Sequence, residues 1–163
     1  MVALEILVSY ILLWGFIETI CFTALLVILY LSGSGNLVRD EEGKFKKKKK
    51  IQIRVYLLYV LLLSLLTGLP ILANIFFVVE EGITLDIVEI FTLTYGIFLF
   101  ANVWDLILID YFLVVKNVFR LKNLPETLYY TSFRPHLVGF FRGLVFGLFF
   151  SLISSGITYL VIG

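Results

Sequence analysis

"FANVWDLILIDYF", residues 100–112, reads as the middle of a membrane-spanning helix, yet it sets Asn102, Asp105 and Asp110 among apolar and aromatic side chains. A run this apolar belongs in lipid or in a protein core, and in either place a carboxylate is costly unless it is paired or reaches water. The rest of the chain decides between the two. Of its 163 residues 61% are hydrophobic and 17% aromatic, and the mean hydropathy is +1.05. A soluble domain is about half apolar, so this composition predicts an all-α polytopic membrane protein.

A helix needs about 20 mostly apolar residues to cross the hydrocarbon core. Four stretches qualify, about 2–31, 51–79, 84–115 and 135–162, and they predict one domain, a bundle of four transmembrane helices covering residues 1–163. Each is longer than the minimum, which implies tilt or interfacial ends. The first lacks the basic start of a signal peptide and exceeds its apolar length, so it is read as a retained span.

Charge sets the expected orientation. The connection 32–50 ends in Lys46, Lys47, Lys48, Lys49 and Lys50, and the connection 116–134 holds Lys116, Arg120, Lys122 and Arg134. Between the second and third spans stand Glu80, Glu81 and Asp86. Of the 13 Lys and Arg residues only Arg142 lies well inside a span, so the positive-inside rule puts both basic connections in the cytoplasm and both termini outside. Localisation in the cell membrane follows. The lysine run suits topology, and it also suits anionic lipid headgroups as partners. No nucleic-acid partner is expected.

At about 100° per residue, Asn102 and Asp105 lie about 60° apart on a helical wheel, Asp110 lies about 80° to the other side of Asn102, and Tyr95 falls nearly in line with it. One polar sector results, and the cost of turning carboxylates to lipid aims it at the interior or at a wet cavity. Counted from Val115 at 1.5 Å per residue, Asp110 is about 8 Å deep and Asp105 about 15 Å. Arg142 is about 10 Å into the fourth span, a depth at which it suits one aspartate as ion-pair partner. A carboxylate left without a counter-charge is where proton and cation coupling is found.

His136, the one histidine, stands at the start of the fourth span, within reach of Asp110 or of Pro125, Glu126 and Thr127. A single histidine among carboxylates lacks the spacing of a zinc site, and nothing in the sequence asks for a metal or another cofactor. Glu18 is an acid near the middle of the first span, beside Gly15 and Thr19. It suits proton–cation exchange of the kind seen in small multidrug carriers, or hydrogen bonds from Asn74, Thr67 or tyrosines. Pro70, after Thr67 and Gly68, allows a kink in the second span. Cys21 fits a small packed side chain and leaves no disulfide. In the fourth span Gly139, Gly143, Gly147, Ser151 and Ser155 recur every four residues, a ridge for close helix packing within the chain or in a homo-oligomer.

The second half of the chain resembles an uncharacterised family of small four-span integral membrane proteins of bacteria and archaea. The likeness is carried by Asn102, Asp105 and Asp110, by Pro125-Glu126-Thr127, and by His136 followed by Gly139, Phe140 and Gly143. It covers about residues 100–150 and departs in the loop, where Glu126 precedes Thr127 instead of following it. The resemblance implies that these polar residues form a unit. It implies no reaction.

No nucleophile–base pair, phosphate loop or metalloprotease motif is present. Three readings follow. In the first, Asp105, Asp110 and Glu18 handle a proton or cation in a small transport protein. In the second, the same groups are paired internally in an accessory membrane protein assembled through the glycine ridge. The third, a metal-dependent membrane enzyme built from Asp105, Asp110, Glu126 and His136, has the least support.

Overall fold

The computed structural model of the chain describes residues 3–31, 53–116 and 132–162. The lysine run 46–50 and the Pro125-Glu126-Thr127 stretch lie outside the described residues. Among these residues all regular structure is helical: α1 (Leu4–Leu31), α2 (Ile53–Glu81), α3 (Ile87–Trp104) and α4 (Arg134–Ile162). From Trp104 the third helix continues without a break into a π-helix, Asp105–Val115.

Local chemistry sets the ends. Gly82 has φ +64°, a left-handed conformation that suits a residue without Cβ, and its N–H closes the last turn of α2 on the Val78 carbonyl at 3.1 Å. Asp86 opens α3 with a capping box. Its Oδ1 accepts from the Glu89 N–H at 2.8 Å, and Glu89 Oε2 accepts from the Asp86 N–H at 3.1 Å. Pro135 stands in the first turn of α4, where its missing N–H costs nothing. Pro70 lies inside α2, which runs on through it.

The four helices are long and apolar enough to cross a membrane, and no span buries more than 33% of its residues within the protein. Most of each helix therefore turns apolar side chains outward, among them Phe16, Leu61, Phe76, Phe146 and Leu160. A helix apolar on all sides is at home in a lipid environment.

The helices pack closely because large side chains enter sockets over glycine. A Cβ added at Gly15 would stand 2.7 Å from the Phe100 ring, and one at Gly96 would stand 2.6 Å from Ile11, so α1 and α3 interlock reciprocally. On the other side of α3, Phe98 fills the space over Gly147, and Asn102 Oδ1 would be 2.8 Å from a Cβ at Gly143. Thus α3 lies between α1 and α4, and α2 joins α1 and α4 while also touching α3. One apolar cluster gathers Leu7, Tyr10, Ala73, Phe77, Leu85, Ile90, Leu93 and Ile97. It fills the end of the molecule where α2 turns into α3 and leaves the opposite end to polar groups.

Candidate functional site

That polar end is built by the change of helix type at Asp105. In a π-helix the hydrogen bonds close over five residues, as the Lys116 N–H does on the Tyr111 carbonyl at 2.8 Å. Residues five apart therefore share a face. In an α-helix Asp105 and Asp110 would point about 140° apart; the π-helix brings both to one side. The wheel positions expected for Asp110 from α-helical spacing are corrected accordingly. Apolar neighbours follow the same rule, for Ile109 and Val114, also five apart, are both buried. The wider turn has poorer backbone hydrogen-bond geometry, and an offsetting gain is at hand, because it turns both carboxylates away from an apolar surrounding.

Asp110 meets His136 from the first turn of α4. The His136 Nδ1 lies 2.7 Å from Asp110 Oδ1, with the imidazole 1% exposed and the carboxylate 22% exposed. The approach is an ion-pair contact rather than an aligned N–H···O bond. Aromatic packing fixes it from outside: Tyr111 stands edge-on to Phe133 at 5.4 Å, tying the π-helix to the start of α4. Lys116 Nζ lies 5.5 Å from the centre of the Tyr111 ring.

Asp105 lies one π turn before Asp110 on the same face. Its Oδ1 is buried and accepts no hydrogen bond from any described residue. Asn102, one α turn above, seats its amide against Gly143, with Nδ2 donating to the Phe140 carbonyl at 3.4 Å. Asn102, Asp105, Asp110 and His136 thus stand along the α3–α4 seam.

Arg142 is not among them. It is exposed on α4, and no carboxylate among the described residues lies within ion-pair distance of it. The partner expected for an aspartate is His136 instead, because α4 turns its His136 face inward and its Arg142 face outward. The azimuth of each residue on α4 decides the pairing.

Glu18 is 1% exposed, and neither carboxylate oxygen accepts a hydrogen bond from any described residue. The partners expected for it are engaged elsewhere. Asn74 Nδ2 donates to Thr94 Oγ1 at 2.9 Å and to the Pro70 carbonyl at 2.8 Å, while Thr67 Oγ1 donates to the Leu63 carbonyl at 2.9 Å. Tyr10 donates instead to Glu80 Oε2 at 2.5 Å, near the C-terminal end of α2. That contact was missed in the sequence because Glu80 reads there as a loop acid.

The ridge on α4 divides. Gly147, Ser151 and Ser155 are buried, Gly143 is half-buried against Asn102, and Gly139 is exposed with open space around it. Ser154 and Thr158 are also fully buried and belong to the same inward face. Their spacing of three and four from Ser151 and Ser155 is the signal that could have found them. Cys21 is half-buried and free. Among the described residues no three His, Cys, Asp or Glu side chains converge tightly enough to hold a metal ion.

No protein-family profile, curated protein or solved structure matches the chain.

Proposed function

We propose that this chain is a cell-membrane protein, a bundle of four spans with both termini outside and the basic connections 32–50 and 116–134 in the cytoplasm, that moves or binds protons or small cations through carboxylates inside the bilayer. The orientation rests on the distribution of Lys and Arg. The observation that carries the function is the pairing of unlike aspartates on one π-helical face. Asp110 is partly exposed and held by His136, and Asp105 sits one turn deeper with an oxygen that no described residue satisfies.

The chemistry of the interior points the same way. Glu18, Asn74 and Asp105 leave buried oxygens that are acceptors only, and these call for a hydrogen-bond donor or positive charge, while the buried Ser155 and Thr158 hydroxyls, which also lack a partner among the described residues, can donate or accept. A proton or a hard cation supplies either, since oxygen ligands suit such ions. Asp110 and His136 form the cytoplasmic entrance in this reading, Asp105 the first inner station and Glu18 a second. The accessory reading draws on Asn74–Thr94 and Asn102–Phe140, polar groups engaged in packing alone.

The test is flux into proteoliposomes that carry an entrapped dye selective for the ion followed (proton, sodium or potassium), under an imposed gradient of that ion. Wild-type protein is expected to dissipate at least one gradient, and Asp105→Asn to remove that activity without loss of fold. If wild type passes none of the three ions and Asp105→Asn changes only the unfolding temperature, the accessory reading replaces this one.

A further inference from the structure

The outward face of α4 carries a charge that the carboxylate path does not use. Arg142 lines a shallow groove of about 400 Å³ with Val138, Phe141, Val145 and Phe146, and all four apolar residues are exposed. The inward face of α4 is marked by His136, Gly147, Ser151, Ser154, Ser155 and Thr158. At about 100° per residue Arg142 lies on nearly the opposite side. A guanidinium does not lose its proton in a protein, so a permanent charge stands among apolar neighbours without a carboxylate from the described residues.

We propose that this groove is a phospholipid site, in which Arg142 holds the headgroup phosphate and the four apolar side chains hold the first part of an acyl chain. Arg142 is about 12 Å along α4 from Arg134 at 1.5 Å per residue, and helical side chains lean toward their own N-terminus. The guanidinium therefore snorkels toward the headgroup layer at the start of α4, where lipid phosphates lie. Its planar fork matches two phosphate oxygens at once, which a point charge does not. Val138 and Phe146 flank it one turn before and one turn after along the helix, so a lipid held by its phosphate there lays its chain against the groove. The proposal rests on reading α4 as a membrane span and is independent of ion movement.

The experiment titrates the full chain, purified in detergent and stripped of lipid, with phosphatidylglycerol or with diacylglycerol of the same acyl chains, and counts bound lipid by native mass spectrometry. Wild type is expected to retain one phosphatidylglycerol and to discriminate against diacylglycerol, which lacks the phosphate. Arg142→Leu should weaken retention about tenfold, with Arg142→Lys in between. Phe146→Ala keeps the charge and removes one wall of the groove, so it should also weaken retention. Equal retention by wild type, Arg142→Leu and Phe146→Ala overturns the proposal. So does a dimer that Arg142→Leu dissociates without changing bound lipid, which would make a second copy the occupant. Alkaline extraction of membranes from cells producing each protein separates the underlying reading: all should stay in the membrane fraction, and release of wild type would sink the assignment of α4 as a span rather than the groove alone.

Discussion

The third helix is two different structures on either side of Trp104. Above it, α3 is a regular α-helix that starts in a capping box and buries Ile90, Leu93, Thr94, Ile97, Phe98 and Ala101 at three- and four-residue intervals. Its one buried polar side chain, Thr94, is met by Asn74. Below Trp104 the hydrogen-bond step widens to five residues, two carboxylates share a face, and one of them keeps an unmet buried oxygen. The upper half is organised for packing, and the lower half gives up helix regularity to hold charge. The difference teaches that the position of polar groups can set the local twist of a helix that is otherwise apolar all round.

The sharpest way to break this comparison is to neutralise one carboxylate. Asp105→Asn is expected to reduce ion flux in proteoliposomes to the protein-free background, whereas Thr94→Val in the upper half should leave flux intact and cost about 1 kcal/mol of stability. If Thr94→Val stops flux as well, the two halves are not functionally distinct. The His136 contact adds a spectroscopic check. Asp110→Asn should move the 15N resonance of His136 Nδ1 far more than Asp105→Asn does, because Asp110 is the carboxylate in contact.

A smaller effect is expected from filling a socket on the packing side. Gly147→Leu puts a branched side chain where the Phe98 ring already lies, and overpacking of this kind costs about 1–3 kcal/mol. Thermal unfolding in detergent would show it as a lowered midpoint, and an unchanged midpoint would mean that α3 and α4 are less closely seated than Phe98 and Gly147 indicate.

Hydropathy alone makes four apolar helices legible, because about 20 consecutive apolar residues have few other uses. The small-residue ridge Gly139, Gly143, Gly147, Ser151 and Ser155 was legible as a packing surface, but not which part of it turns inward: Gly147, Ser151 and Ser155 are buried and Gly139 is exposed. The π-helix was not. A change of twist shows in a sequence only when the apolar stripe shifts its period, and Asp105–Val115 has apolar residues on every side apart from the two aspartates. Arg142 was misjudged for a related reason. Its depth suggested a carboxylate partner, yet it is the residue next to Gly143 on the ridge, and one step along a helix turns a side chain away by about 100°. His136 was expected within reach of Asp110 or of Pro125, Glu126 and Thr127, and it lies against Asp110.

At the far end of α3, the capping box offers a test of whether the regular half is stabilised locally. Asp86→Ala removes the acceptor for the Glu89 N–H and should cost about 1 kcal/mol. Flux should be unchanged, because the cap lies at the other end of the helix from Asp105. A fall in flux equal to that of Asp105→Asn would show that the twist of the lower half is set from the cap, which would reverse the local account of the π-helix given above.

The smallest effect belongs to Gly139→Ala, and its sign is the informative part. Gly139 continues the four-residue rhythm of Gly143 and Gly147, so a rule based on sequence spacing treats all three alike. A Cβ at Gly139 meets nothing within 4 Å, whereas one at Gly147 meets the Phe98 ring. Alanine should then relieve the conformational cost of glycine in a helix and stabilise the protein by about 0.5 kcal/mol. A destabilisation comparable to that of Gly147→Leu would mean that another surface, on this chain or on a second copy, closes over Gly139 in the membrane. The polar seam at Asp110 and His136 would then be covered at its entrance, and access to Asp105 would have to come from a different side.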